Sequence, residues 1–195
     1  MKLVRAALVV GAGLLVPLLP SAAQADRYSS ADSVADIVSF PVSHGAPSTL
    51  APAPDRAQGD VVSSSVQHQR NAVVMRMQYR ELDPSGAAGG HLFVIRTSRL
   101  ARLVTVFTGP GYWDGKVVTE DGLGRKVGCR VARSIDYVAN TATVVVPRSC
   151  LGRPRWVRVG MAGLSFDSLD TVFADDAGSS GTVGDHPAYG PRVRR

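Results

Sequence analysis

The residues that most constrain this chain are Val73, Met75, Met77 and Tyr79, which alternate with Arg76, Gln78 and Arg80 along the run NAVVMRMQYR. A period of two puts the apolar residues on one face of an extended strand and the polar ones on the other, the pattern of a half-buried β-strand. HLFVIRT, RLVTVFT, GKVVTE, VGCRVA, ATVVVP and RWVRVGM follow with the same β-branched character, separated by PSGAAGG, GPGYWDG, EDGLGRK and CLGRP. No window sustains a helical period, and Gly or Pro interrupts nearly every short stretch, which argues against a helical domain. The spacing predicts an all-β fold, an antiparallel β-sandwich of about seven or eight strands.

The flanks read differently. Lys2 and Arg5 precede an apolar run from Ala6 to Leu19, and Ala23-Gln24-Ala25 has the small-x-small pattern of a signal peptidase site, so residues 1–25 read as a cleavable leader. The run, about 14 residues broken by Gly11, Gly13 and Pro17, is short of the roughly 20 residues a spanning helix needs. No second apolar stretch follows it, so the expectation is a secreted, extracellular protein with no membrane span after processing. Residues 26–58, rich in Ser, Ala, Pro and Asp, read as a flexible N-terminal arm, and residues 175–195 (DDAGSSGTVGDHPAYGPRVRR) as a disordered, basic-ended tail. The β-sandwich domain is therefore expected over residues 59–174.

Export places Cys129 and Cys150 where disulfides persist, and a bridge between them is expected. The midpoint of the pair falls between Ala139 and Asn140, and Asn tolerates positive φ, so a two-residue turn is expected there. That hairpin would set Ile135 opposite Val144 and Cys129 opposite Cys150. Pro147 cannot donate to a ladder and belongs where its strand leaves the sheet.

At TATVVVPRSCLGRPRWVRVG, together with Gly59-Asp60-Val61, the His68 to Leu82 strand and the closing PRVRR, the chain resembles the small exported actinobacterial proteins that pair a signal peptide with one β-rich domain. The resemblance covers roughly residues 55–195 and is most distinctive from Val146 to Val159. It implies the same domain boundary and disulfide, and it brings no activity, ligand or catalytic residue with it.

No catalytic constellation stands out. Gly163-Leu164-Ser165-Phe166-Asp167 approaches a nucleophile elbow but lacks the final Gly. Of four histidines, His44 and His186 fall in the flanks, while His68 and His91 lie at strand margins without a partner at metal-ligand spacing and read as surface or turn residues. No cofactor is expected. Three sites are candidates for binding. Asp55 and Asp60 precede the core strands and Asp175 and Asp176 follow them, so these four carboxylates are either solvated turn residues, the usual case, or oxygen ligands for Ca²⁺ at neighbouring terminal strands. The loop Gly109 to Gly115 holds Tyr112, Trp113 and Asp114, which either present a stacking platform for a sugar or fold back to plug one end of the core.

The third is electrostatic. Arg125, Lys126, Arg130, Arg133, Arg148, Arg153, Arg155 and Arg158 face a single acid, Asp136, across residues 125–158, whereas residues 159–191 hold five Asp and no base. The two stretches either neutralise each other or leave Arg130, Arg133, Arg148, Arg153, Arg155 and Arg158 as a face for a polyanion. Nucleic acid is not expected as that partner, because no nucleic-acid fold motif accompanies the charge. The function expected is a non-catalytic module binding an extracellular or cell-envelope ligand, a glycan or polyanion. An exported hydrolase and a secreted enzyme inhibitor are the rival readings.

Overall fold

The computed structural model describes residues 26–42, 49–167 and 170–195. The proposed leader, residues 1–25, and His44 lie outside the described residues. Within them the chain forms β1 (Asp26–Ala31), β2 (Val38–Pro41), β3 (Ala51–Pro52), β4 (Val61–His68), β5 (Ala72–Tyr79), β6 (Ala88–Arg96), β7 (Ala101–Thr108), β8 (Lys116–Asp121), β9 (Ala132–Asp136), β10 (Thr141–Pro147), β11 (Trp156–Phe166), β12 (Thr171–Asp176) and β13 (Val193–Arg194). A 3-10 turn, Arg148–Leu151, follows β10.

Two antiparallel sheets result, in a sandwich-like arrangement: β1-β4-β5-β10-β9, and β3-β2-β12-β11-β6-β7-β8, with β13 paired to the start of β11. The alternation in β5 acts as expected. Val73, Met75, Met77 and Tyr79 are buried, and they meet Phe93 and Ile95 of β6, Val104 and Val106 of β7, Val144 and Val146 of β10, and Val157 and Val159 of β11 in one core. Each such side chain contributes about 1.5–3 kcal/mol by leaving water.

Both flanks depart from expectation. Residues 26–41 are not a loose arm: β1 pairs with β4 over its whole length, Asp26↔His68 to Ala31↔Ser63, and β2 pairs with β12. DRYSSA buries little apart from Tyr28, which packs against the core, so it carries no hydrophobic period, and backbone pairing with β4 holds it as an edge strand. Residues 175–195 are not a disordered tail either. Asp175 and Asp176 belong to β12, Gly190 N–H donates to Val159 O at 3.0 Å, Arg192 stacks on Trp156 at 4.4 Å, and Val193 enters the core at 2% exposure. Arg194 N–H donates to Asp26 Oδ2 at 2.7 Å, joining the two flanks. The flanks add β1, β2, β3 and β13 to the nine strands that start within residues 59–174.

The β9–β10 hairpin exists, with a register two residues away from that expected. Ile135 faces Ala142, not Val144, and four residues, 137–140, make the connection. Asp136 Oδ1 accepts the N–H groups of Val138 (3.0 Å) and Ala139 (2.8 Å), which stabilises the wider turn. Asn140 does adopt positive φ, 51°. VGCRVA is not a strand over its length, since β9 begins only at Ala132. The ladder ends at Val145↔Ala132 and Pro147 closes β10, as a residue without an N–H should. The 3-10 turn then carries Cys150 back to Cys129, and the disulfide forms with Cα atoms 5.9 Å apart.

Candidate anion cleft and acidic cluster

The aromatic loop is braced against the β9–β10 hairpin. Arg133 donates from Nε to Gly115 O and from Nη2 to Asp114 Oδ2, both at 2.7 Å. Trp113 meets Tyr137 edge to face, centroids 6.3 Å apart, and Tyr137 Oη donates to Trp113 O at 2.6 Å. Tyr112 keeps 38% of its surface exposed. Trp113 is thus half-buried on its neighbour, and the Asp114 carboxylate already holds a guanidinium.

The six candidate arginines divide. Arg133 serves that loop. Arg158 donates to Gly190 O (2.9 Å) and Tyr189 O (3.2 Å) and lies over the Tyr189 ring, so it fastens the C-terminal segment. Arg130 and Arg155 are exposed. Arg148, the first residue of the 3-10 turn, and Arg153, two residues beyond it, come together. With Arg70, Asn71, Ser149 and Arg195 they line a cleft of about 480 Å³ into which no Asp or Glu is placed. Arg148 is fixed there by donation to Arg70 O (2.9 Å) and Pro154 O (2.5 Å), and its Nε is buried without an acceptor. Burial, and then the charges of Arg195 and Arg153, push its pKa below the usual arginine value. The charges of Arg195 and Arg153 repel that of Arg148, and an anion in the cleft would relieve that repulsion. Nothing in the sequence marks Arg70, in the β4–β5 turn, beyond its being a basic residue in the polar turn Gln69-Arg70-Asn71.

The carboxylates converge in part. Asp60, just before β4, and Asp175, on β12, do come together, and Val61 N–H donates to Asp175 Oδ2 at 2.6 Å. Their third partner is Asp36, from the β1–β2 loop. One carboxylate oxygen from each of Asp36, Asp60 and Asp175 lies within 4.8 Å of the other two. Asp55 stays exposed and outside the trio, and Asp176 spends its oxygens on the N–H groups of Gly178 (3.1 Å) and Ala188 (2.8 Å). Burial pushes Asp175 up to about 8, opposed by the Val61 N–H and reinforced by Asp32, Asp36 and Asp60. Asp32 is likewise pushed up to about 7, chiefly by burial. Asp36 gives no signal in the sequence because it lies in the stretch that reads as an arm.

Neither a known protein family, a curated protein nor a solved structure gives a match to this chain.

The remaining chemical groups are absorbed by packing. Ser165, at the centre of the elbow-like motif, is a fully buried residue of β11, not a strand-to-helix turn, and donates to Gln58 O at 3.0 Å. His68 and His91 are not surface residues: they are 0% and 2% exposed. His68 Nδ1 lies 3.2 Å from Val193 O, and His91 Nδ1 lies 2.7 Å from Tyr79 Oη, because both face the interior from strands whose margins the sequence places too near the turns.

Proposed function

We propose that this chain is an exported, non-catalytic β-sandwich module that binds an anionic extracellular or cell-envelope polymer in the cleft of Arg70, Arg148, Arg153 and Arg195. The observation that carries the reading is the cleft itself: four arginines line it, the Arg148 guanidinium is pinned by two backbone carbonyls, and no carboxylate side chain is among the lining residues. Arginine forks match phosphate, sulfate and carboxylate groups in two-point contacts, so a repeating anion fits better than a neutral glycan. The engagement of Asp114 by Arg133 weakens the case for the aromatic loop as a sugar platform. Export is supported by the leader-like residues 1–25, by the Cys129–Cys150 bridge, and by the finding that no helix among the described residues is long and apolar enough to cross a membrane. The resemblance to exported actinobacterial proteins belongs to the same reading. A non-catalytic role is supported by the use of Ser165, His68 and His91 in packing.

Retention of the purified protein on immobilised heparin and on polyphosphate, measured over a series of salt concentrations, tests the proposal. Binding should weaken linearly on a logarithmic salt scale, and Arg70→Ala and Arg153→Ala should each reduce the slope by about one unit for every phosphate left unneutralised. Absence of retention at low salt, or variants that bind like the parent, would overturn it.

A further inference from the structure

We infer that Asp36, Asp60 and Asp175 form a calcium site that ties the first loop of the protein to both sheets. The three carboxylates come from separate parts of the chain, the β1–β2 loop, the residue preceding β4 and β12, so their meeting is a product of the fold and not of local spacing. Each is held in the same manner. Oδ2 of Asp36 accepts Gly181 N–H at 3.1 Å, Oδ2 of Asp60 accepts Ala35 N–H at 2.9 Å, and Oδ2 of Asp175 accepts Val61 N–H at 2.6 Å. Backbone donors thus orient all three carboxylates, as outer partners orient the ligands of a metal.

A second observation points to a ligand. The Asp60 side chain is fully buried, and its Oδ1 has no hydrogen-bond partner; Oδ1 of Asp36 and Oδ2 of neighbouring Asp32 are buried and unpartnered as well. Buried acceptors are ordinarily satisfied, and three bare carboxylate oxygens in one place require a cation or donors to be stable. The cation that the described residues bring to the trio is Arg80, whose Nη1 is 3.5 Å from Asp60 Oδ2 and whose side chain is 39% exposed. This half-exposed guanidinium reaches Asp60 Oδ2 and leaves the bare oxygens of Asp32, Asp36 and Asp60 without a partner.

The ligand set favours calcium. Mg²⁺ ordinarily keeps several waters and takes only one or two carboxylates, whereas Ca²⁺ accepts a cage of protein oxygens such as the three carboxylates gathered here. These ligands are all hard oxygens, the set Ca²⁺ takes, with none of the His or Cys that zinc selects.

Chelator-stripped full-length secreted protein, titrated calorimetrically with CaCl₂ and with MgCl₂ and melted in the presence of each, provides the test. Calcium should bind with a dissociation constant at or below the ~1 mM of extracellular modules, raise the melting temperature by several degrees, and outcompete magnesium. Asp36→Asn, which retains the shape of a half-exposed side chain, should lose affinity about tenfold or more. In the stripped state it should melt no lower than the parent, since one repelling charge is gone. Asp175→Asn should also lose calcium affinity, while Arg70→Ala, in the arginine cleft, should bind calcium normally; failure of the polyanion reading therefore leaves this site standing. No heat and no melting shift at ~10 mM calcium, or undiminished binding by both Asp variants, would overturn the inference.

Discussion

The Tyr79 hydroxyl lies 2.7 Å from His91 Nδ1 inside the core, and the Tyr79 ring occupies the space where Gly163 lacks a side chain. Cross-strand partners share a face of a sheet, so His91, Gly163 and Asp175, which stand opposite one another on β6, β11 and β12, form a row facing Tyr79. The ring meets His91 at 67° with centroids 5.3 Å apart. His91 Nε2 has no partner, and burial lowers the pKa of the imidazole to about 4.

Stability should carry the signature of that neutral imidazole. A folded pKa of about 4 against an unfolded 6.5 means that the unfolded chain takes up the proton first, so His91 favours the fold fully above pH 6.5 and progressively less as pH falls toward 4. The whole effect is on the order of 3 kcal/mol. Asp175 and Asp32, whose folded pKa values are raised, act with the opposite sign as pH falls, so the readout is a difference. Urea melts of His91→Asn and its parent should show a stability gap that narrows from pH 7 to pH 4; a gap independent of pH would contradict the assignment.

Gly163→Ala should be among the most damaging single-methyl additions. The new Cβ would meet Gly59 O and, at 2.7 Å, Tyr79 Cε1, one a backbone atom and the other a ring locked by His91. Overpacking of this kind costs about 1–3 kcal/mol or more. A chemical melt decides it, and Gly124→Ala, whose Cβ would meet nothing within 4 Å but whose φ is +74°, measures what backbone strain alone contributes.

Cys129→Ser combined with Cys150→Ser should lower stability by about 2–4 kcal/mol, the range for a loop of this size. The bridge closes the end of the β9–β10 hairpin beyond its last ladder pair, near Val131, Val144 and Val146 of the core. Reductant should shift the urea midpoint of the parent and leave the double variant unmoved.

Asn140→Ala should cost about 1–2 kcal/mol, because alanine lacks asparagine's tolerance of the left-handed conformation at φ 51° and leaves Leu82 N–H without the Asn140 Oδ1 that accepts it at 2.9 Å. Asn140→Gly keeps the conformation and loses the hydrogen bond. Its smaller loss, read in the same melts, separates the two contributions.

How much of this is legible in the sequence follows from where the information resides. Met75 and Met77 announce a buried strand face because alternation is a local property, and the Cys129–Cys150 bridge is expected from a pair of cysteines in a chain whose first 25 residues read as a leader. Tyr28 and Ser30 announce nothing, since an edge strand such as β1 is held by backbone pairing with β4. Asp60 and Asp175 can be suspected from their positions around the core strands, but Asp36 joins them through a loop whose sequence, SVAD, has no period and no motif. Arg70 and Arg195 reach Arg148 and Arg153 only through the pairing of distant strands. His91 sits in a Gly-Gly-His run that reads as a turn, and its burial depends on Tyr79, twelve residues away on another sheet.

The hydrogen bond from Arg194 to Asp26 spans 168 residues of sequence. A chain synthesised amino end first brings out β1 long before the residues that secure it. Until then β1 has only β4 to lean on, and the side of β11 that β13 will cover is open to any other strand. Closure is therefore a late event that waits on the whole length, the kind of long-range pairing that makes folding slow and half-synthesised molecules prone to associate.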